Sequence, residues 1–243
     1  MRNEYSGSRG LAGVLAVLSS AMLVGCGGGG YGGGGGGMNG YLSSAPGDAA
    51  VTAFQQANQH VLLNATYSGS SYTLQIDQMV NAGTTTFNGM GPAYSNTATV
   101  MLTQNGTQIA NSVDTSYYLL SPLMPLGKVN STGSPYAIVT SSTPIPMTLM
   151  VGGSGSFDNV TYYHDSTRAT LDANETTTYT VTSRDTATLQ YCIQSVISGT
   201  TVQGTADGMA DGTETDCYAI TAGGMATVVS VSVMAGGVSL MFK

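Results

Sequence analysis

From about residue 61 onward, apolar and polar residues alternate. "SYTLQID" sets Tyr72, Leu74 and Ile76 against polar neighbours. "ATVMLTQ", "TSYYLLS", "YAIVTSS", "VTYYHDS", "TTYTVTS", "TLQYCIQSVI" and "ATVVSVSVM" repeat the texture. Period two with β-branched and aromatic residues predicts strands. Turn signals separate them: Asn88-Gly89, Asn105-Gly106, Gly152-Gly153-Ser154, Asp207-Gly208, Asp211-Gly212, Gly223-Gly224 and Gly236-Gly237. A turn every roughly 8–14 residues, with no helical pattern between strands, excludes parallel βαβ winding. The expected fold class is all-β, an antiparallel sandwich or a partly closed barrel.

Two stretches depart from this pattern. "APGDAAVTAFQQANQH" (Ala45–His60) has helical spacing, with Ala50, Ala53, Phe54, Ala57 and Val61 on one face and Asp48 as N-cap. It predicts one short helix at the start of the domain. "SPLMPLGKVNSTGSPY" (Ser121–Tyr136) holds Pro122, Pro125 and Pro135. It predicts a large loop, or a seam joining two similar halves of a domain spanning 45–243. A membrane-spanning barrel would need strands of about 9–11 residues with an outward apolar band. The predicted segments are shorter and rich in threonine, which counts against it.

Before the domain the pattern changes twice. Arg2 and Arg9 precede an apolar run from Leu11 to Val24, too short for a bilayer-spanning helix of about 20 residues. This is the layout of a secretory signal peptide over residues 1–25. It ends Leu23-Val24-Gly25-Cys26, which resembles the lipobox of bacterial lipoproteins. The resemblance covers the targeting segment alone. It implies a diacylglyceryl group on the Cys26 sulfur, cleavage before Cys26 and acylation of the new amine. With Gly27 rather than Asp after the cysteine, it is similar to the pattern that sorts lipoproteins to the outer membrane. Each buried methylene contributes about 0.8 kcal/mol, so two or three chains on one residue hold a protein essentially permanently.

Residues 26–44 then read as a linker. Gly27 to Gly40 contains eleven glycines, a composition expected to behave as coil with a reach of about 20 Å. A phosphate-cradling loop would need a strand before it, a helix after it, and a Lys-Ser/Thr or acidic partner downstream. The sequence supplies none of these.

Composition narrows the function classes. Charged residues make up only 8% of the 243, and the net charge is −7. Removal of residues 1–25 leaves four basic and twelve acidic side chains. Lys128, Arg168, Arg184 and Lys243 form no cationic stripe, which argues against nucleic-acid partners and against anionic lipid. With Cys26 acylated, Cys192 and Cys217 remain. In an oxidising compartment they are expected to form a disulfide whose 25-residue separation contributes roughly 3.5 kcal/mol by chain entropy.

Candidate chemistry is sparse. His60 and His164 are the two histidines. His164 stands beside Asp165, but adjacent strand residues face opposite ways, and no G-x-S-x-G elbow exists. "DGMADGTETD" gathers Asp207, Asp211, Glu214 and Asp216. These are weak calcium candidates, since the spacing departs from the EF-hand pattern and Asp-Gly pairs also serve turns. Tyr117-Tyr118 and Tyr162-Tyr163 should each place one ring inward and one outward. The sequence therefore predicts no catalytic residues, no cofactor and no enzyme. It predicts a lipid-anchored envelope protein with a binding or structural role, its partner an envelope protein or an apolar ligand. The alternative is a carrier of an apolar ligand in a methionine-lined cavity. An envelope hydrolase ranks last.

Overall fold

A computed structural model describes residues 40–243. Cys26, the expected signal peptide and most of the glycine linker lie outside the described residues. In chain order the elements are β1 (Ser44–Pro46), α1 (Asp48–Gln55), β2 (Gln59–Tyr67), β3 (Ser70–Val80), β4 (Thr85–Phe87), β5 (Met90–Gln104), β6 (Thr107–Leu120) and β7 (Leu123–Asn130). There follow β8 (Tyr136–Ser142), β9 (Thr148–Met150), β10 (Ser154–Tyr163), β11 (Leu171–Ser183), β12 (Thr188–Ser198), α2 (Val202–Ala206), β13 (Gly212–Thr221), β14 (Ala226–Ala235) and β15 (Val238–Phe242).

All strands except β1, β4 and β9 pair in sequence order as one antiparallel meander from β2 to β15. Its two edges then meet. Asn64 and Lys243 exchange both backbone hydrogen bonds at 3.0 Å, making a nearly closed barrel of twelve strands. Hairpin turns enforce the register. Asn105 and Gly106 both take positive φ, 49° and 79°, the combination that matches the right-handed twist of paired strands. The small β1–β9 ribbon lies beside α1.

Alternation decides what faces in. On β12, Leu189, Tyr191, Ile193, Ser195 and Ile197 are buried, while Gln190, Cys192, Gln194 and Val196 alternate with them. On β11 the outward positions are Asn174, Thr176, Thr178, Thr180 and Thr182. Several strands are longer than the sequence led us to expect; β5 has 15 residues and β6 has 14. Length therefore does not separate this barrel from a membrane-spanning one. On β11 the outward positions are polar, whereas a membrane-spanning barrel turns an apolar band outward.

The barrel has two distinct ends. Strands β2, β5, β7, β10, β12 and β14 start at the end where the chain enters, here the entry end. α1 lies in its mouth, with Ala50 and Val51 packed on Tyr118, Leu123, Leu189, Tyr191 and Ile220. The helix is shorter than expected and presents a different face. Asp48 sits in its first turn and Gly47 takes the N-cap position. Ala53 is exposed while Val51 and Gln55 are buried, because the helix sits inside a closed mouth and not on a flat sheet. At the far end, α2 and the buried Met209 cover a second apolar cluster built on Leu74, Leu102, Tyr162, Val233 and Phe242.

Residues 121–136 are not a loop. β7 runs through them and pairs with β6 and β8. Pro125 is accommodated because it lies at a register shift opposite Tyr118, where a missing N–H costs no ladder bond. Gly127 serves a further purpose. A Cβ there would lie 2.1 Å from the Ala137 carbonyl oxygen and 2.7 Å from the Phe87 ring. Its absence lets Phe87 of β4 fold over the outer face and stack on Tyr117 with centroids 4.4 Å apart.

Candidate functional site

Between the two apolar clusters runs a belt of buried polar side chains. Lys128 on β7 is only 2% exposed, and its Nζ lies 5.3 Å from the centroid of the Tyr162 ring. The Tyr162 hydroxyl donates to Glu175 at 2.5 Å, and the Thr177 hydroxyl donates to the other carboxylate oxygen at 3.2 Å. Asp114 accepts from Ser112 at 2.5 Å and from Asn130 at 3.1 Å. Glu214 and Asp216 alternate on β13 and are both buried.

The electrostatics follow from confinement. Burial raises Tyr162 well above its ordinary value, and the Glu175 charge adds to this, so the phenol stays a donor. Burial pulls Lys128 down, opposed by Glu175, Asp114 and Glu214. Burial pushes Glu214 well up, with Asp216 contributing a like charge and a hydrogen bond. Asp216 itself is pushed up to about 7, chiefly by burial. One lysine among several buried carboxylates cannot neutralise them all, so the interior retains protons. Asp158, buried near Tyr191, is likewise raised to about 7 by burial.

A second group lies at the far end. Asp172 is a bulged residue between Tyr163–Leu171 and Tyr162–Ala173 pairings. It is fully buried under α2, close beside Asp207. Burial pushes it up to about 6, and the Asp207 charge adds to the shift. Asp207 is lowered; burial opposes that shift, and hydrogen bonds led by His164 outweigh it. His164 Nδ1 lies 2.7 Å from Asp207 Oδ2. A carboxylate only accepts, so the proton is on Nδ1. His164 is raised, first by that bond. Gln203 donates to Asp207 at 3.2 Å. Ser134 Oγ stands 3.4 Å from the same Nδ1. A Ser-His-Asp triad needs serine and aspartate on opposite ring nitrogens; here both approach Nδ1, so the arrangement departs from a triad and ties the far-end turns together.

The remaining predicted residues fall as follows. Cys192 and Cys217 are joined across β12 and β13 as a directly opposed pair, Cα atoms 4.1 Å apart. Tyr118 and Tyr162 point inward, and Tyr117 packs outside against Phe87, one ring of each pair inward as expected. His60 contacts Asp77 at 2.5 Å on the surface. The calcium candidates do not converge. Asp207 serves His164, Asp211 accepts from the Thr200 N–H at 2.9 Å, and Glu214 and Asp216 turn into the barrel because β13 already starts at Gly212. Among the described residues, no group of three or more His, Cys, Asp or Glu is placed to hold a metal ion.

Sequence reasoning missed Lys128, Glu175, Asp114, Asp158 and Asp172. The available signal was parity. Glu175 shares its face with Ala173 and Val181, both buried. Two cavities lie under α1. One of about 10 Å³ is lined by Val51, Tyr191 and Tyr218, and one of about 20 Å³ by Gln55, Gln78 and Asp216. The second is large enough for one water molecule, and Asp216, whose Oδ1 is buried without a hydrogen-bond partner, is among the residues that line it. Comparison with protein-family models, curated proteins and solved structures finds no match to this chain.

Proposed function

We propose that this chain is a lipid-anchored protein of the bacterial outer membrane whose barrel is a non-enzymatic binding or structural module. The observation that carries the reading is the filled interior. α1 occupies one mouth, α2 and Met209 cover the other, and the belt around Lys128 fills the middle. The cavities under α1 are about 10 and 20 Å³, against the ~300–1,000 Å³ of small-molecule sites. This favours a module that acts through its outer surface over a carrier of an apolar ligand. The geometry around His164 favours it over a hydrolase. The Cys192–Cys217 disulfide fits an oxidising envelope compartment, and the lipobox supplies the tether.

The test is fractionation of the full chain expressed in a bacterial host. The wild type is expected in the outer-membrane fraction, carrying metabolically incorporated fatty acid. Cys26→Ser is expected in the soluble periplasmic fraction without label. A Cys26→Ser chain that remains membrane-bound would remove the anchor from the account. Native mass spectrometry of the wild type showing a stoichiometric apolar ligand would replace the module with a carrier.

A further inference from the structure

Among the exposed apolar side chains, one group lies together at the entry end: Tyr41, Met147, Met150, Val151 and Met225 are 51%, 58%, 45%, 44% and 66% exposed. Backbone contacts hold them in one neighbourhood. Met150 pairs with Ser44, and the Val151 N–H donates to the Ser43 carbonyl at 3.0 Å. The Gly47 N–H donates to the Met147 carbonyl at 2.8 Å. On the other side of β1, a Cβ at Gly224 would meet Pro46 at 3.6 Å, which places the Met225 turn against the same ribbon. Leu149 is buried, so alternation turns Met150 away from the core.

We infer that this end of the barrel is a lipid-facing surface, with the Tyr41–Met147–Met150–Val151–Met225 patch resting in the headgroup region of the bilayer that holds the Cys26 acyl chains. The inference rests on the anchor reading and deepens it by setting the orientation of the barrel.

Two observations select a bilayer as the occupant. First, the chain reaches the barrel at Gly40, next to Tyr41 and one hydrogen bond from Asp185 through Leu42. The thirteen residues between Cys26 and Gly40 have an expected reach of about 20 Å. A strand of ten residues spans about 33 Å, so the far end stands roughly a barrel length further from the anchor. Second, the residue types suit an interface: methionine adapts to an irregular apolar surface, and tyrosine has a polar tip for the headgroup level. The acidic net charge points to zwitterionic lipid as the partner.

The experiment uses the full lipidated chain reconstituted into phosphatidylcholine vesicles containing nitroxide-labelled lipid. A fluorophore is attached at Met150→Cys, or at Val202→Cys on the far end, where the native residue is 91% exposed. Quenching at 150 at least twofold stronger than at 202 is expected. Equal quenching at both positions, or stronger quenching at 202, overturns the inference. Concentration-dependent self-quenching at 150 without lipid quenching identifies a second copy as the occupant and also overturns it. Sedimentation of the unlabelled chain reads the anchor separately. A chain that fails to sediment with vesicles defeats the anchor reading and this inference with it. A chain that sediments without quenching at 150 defeats this inference alone.

Discussion

The two ends of the barrel are closed by different physics. At the entry end α1 has eight residues and buries Ala50 and Val51 in an apolar cluster. Its closing segment is tight; a Cβ on Gly47 would lie 2.2 Å from the Pro146 carbonyl oxygen and 2.9 Å from Leu149 Cγ. At the far end α2 has five residues and buries Gly204 alone. It is held by its Thr201 N-cap, by the Thr201 N–H donating to the Asp172 carbonyl at 2.8 Å, and by the Asp172–Asp207–His164 contacts. Apolar burial is insensitive to protons, whereas a closure made of titratable groups follows pH. The entry end should therefore unfold with the barrel, and the far end should open on its own.

The largest expected effect treats both ends alike. Cys192→Ala with Cys217→Ala removes the cross-strand link and should lower stability by roughly 3.5 kcal/mol, read by urea unfolding. Protection at both helices should fall together; loss confined to one end would mean the barrel is not one cooperative unit. Next, Gly47→Ala should cost about 3 kcal/mol, because the obstructing atom is backbone and cannot move aside. Gly204→Ala meets the Asp172 carbonyl oxygen at 2.5 Å, yet should cost only about 1–2 kcal/mol, because the short α2 can lift away. Equal costs would erase the distinction between the ends.

The pH prediction is smaller and sharper. Asp172, raised from 3.8 to about 6, contributes stability that is full below its unfolded value and lost as pH rises through about 6. His164, raised above 6.5, contributes stability that is lost as pH rises through its folded value. Asp207 is lowered, so its contribution is present above 3.8 and lost only in acid. The far end should accordingly be tightest at roughly pH 4 and loosen as pH rises, first as Asp172 ionises up to about 6 and then as His164 loses its proton. Asp158 and Asp216, both raised to about 7, weaken the barrel interior later in the same rise. Amide exchange at residues 202–209, corrected for intrinsic rate, should increase about one pH unit before exchange at residues 48–55. Simultaneous opening would break the comparison. The smallest effect is His164→Gln, which should remove the upper part of this dependence and leave the entry end unchanged.

Much of the fold was legible because alternation is a local signal. The strands around Leu74, Tyr191 and Val231, the turns at Asn105-Gly106, and the opposed Cys192 and Cys217 could all be read from neighbours in sequence. β7 was obscured because prolines mark both loops and register shifts, and only its pairing with β6 and β8 separates the two. The face of α1 was misread because amphipathic spacing identifies a stripe but not the shape it must fit. The buried belt was harder still. Glu175 sits in a threonine-rich strand and Lys128 follows the Pro125 and Gly127 of β7, and their partners lie on strands distant along the chain.

The sequence by itself determined the period-two pattern, the turn positions, the scarcity of charge and the resemblance at Cys26 that predicts a tether. These depend on residues a few positions apart. Only the tertiary structure decided that the sheet closes through Asn64 and Lys243, and that Lys128 lies among buried carboxylates. It also decided that Asp172, Asp207 and His164 meet, and that Met147, Met150 and Met225 lie together where the chain enters. Each of these joins residues from different strands. Closure of the sheet sets which side of every strand is inside and brings its ends together, and that cannot be computed from any single strand.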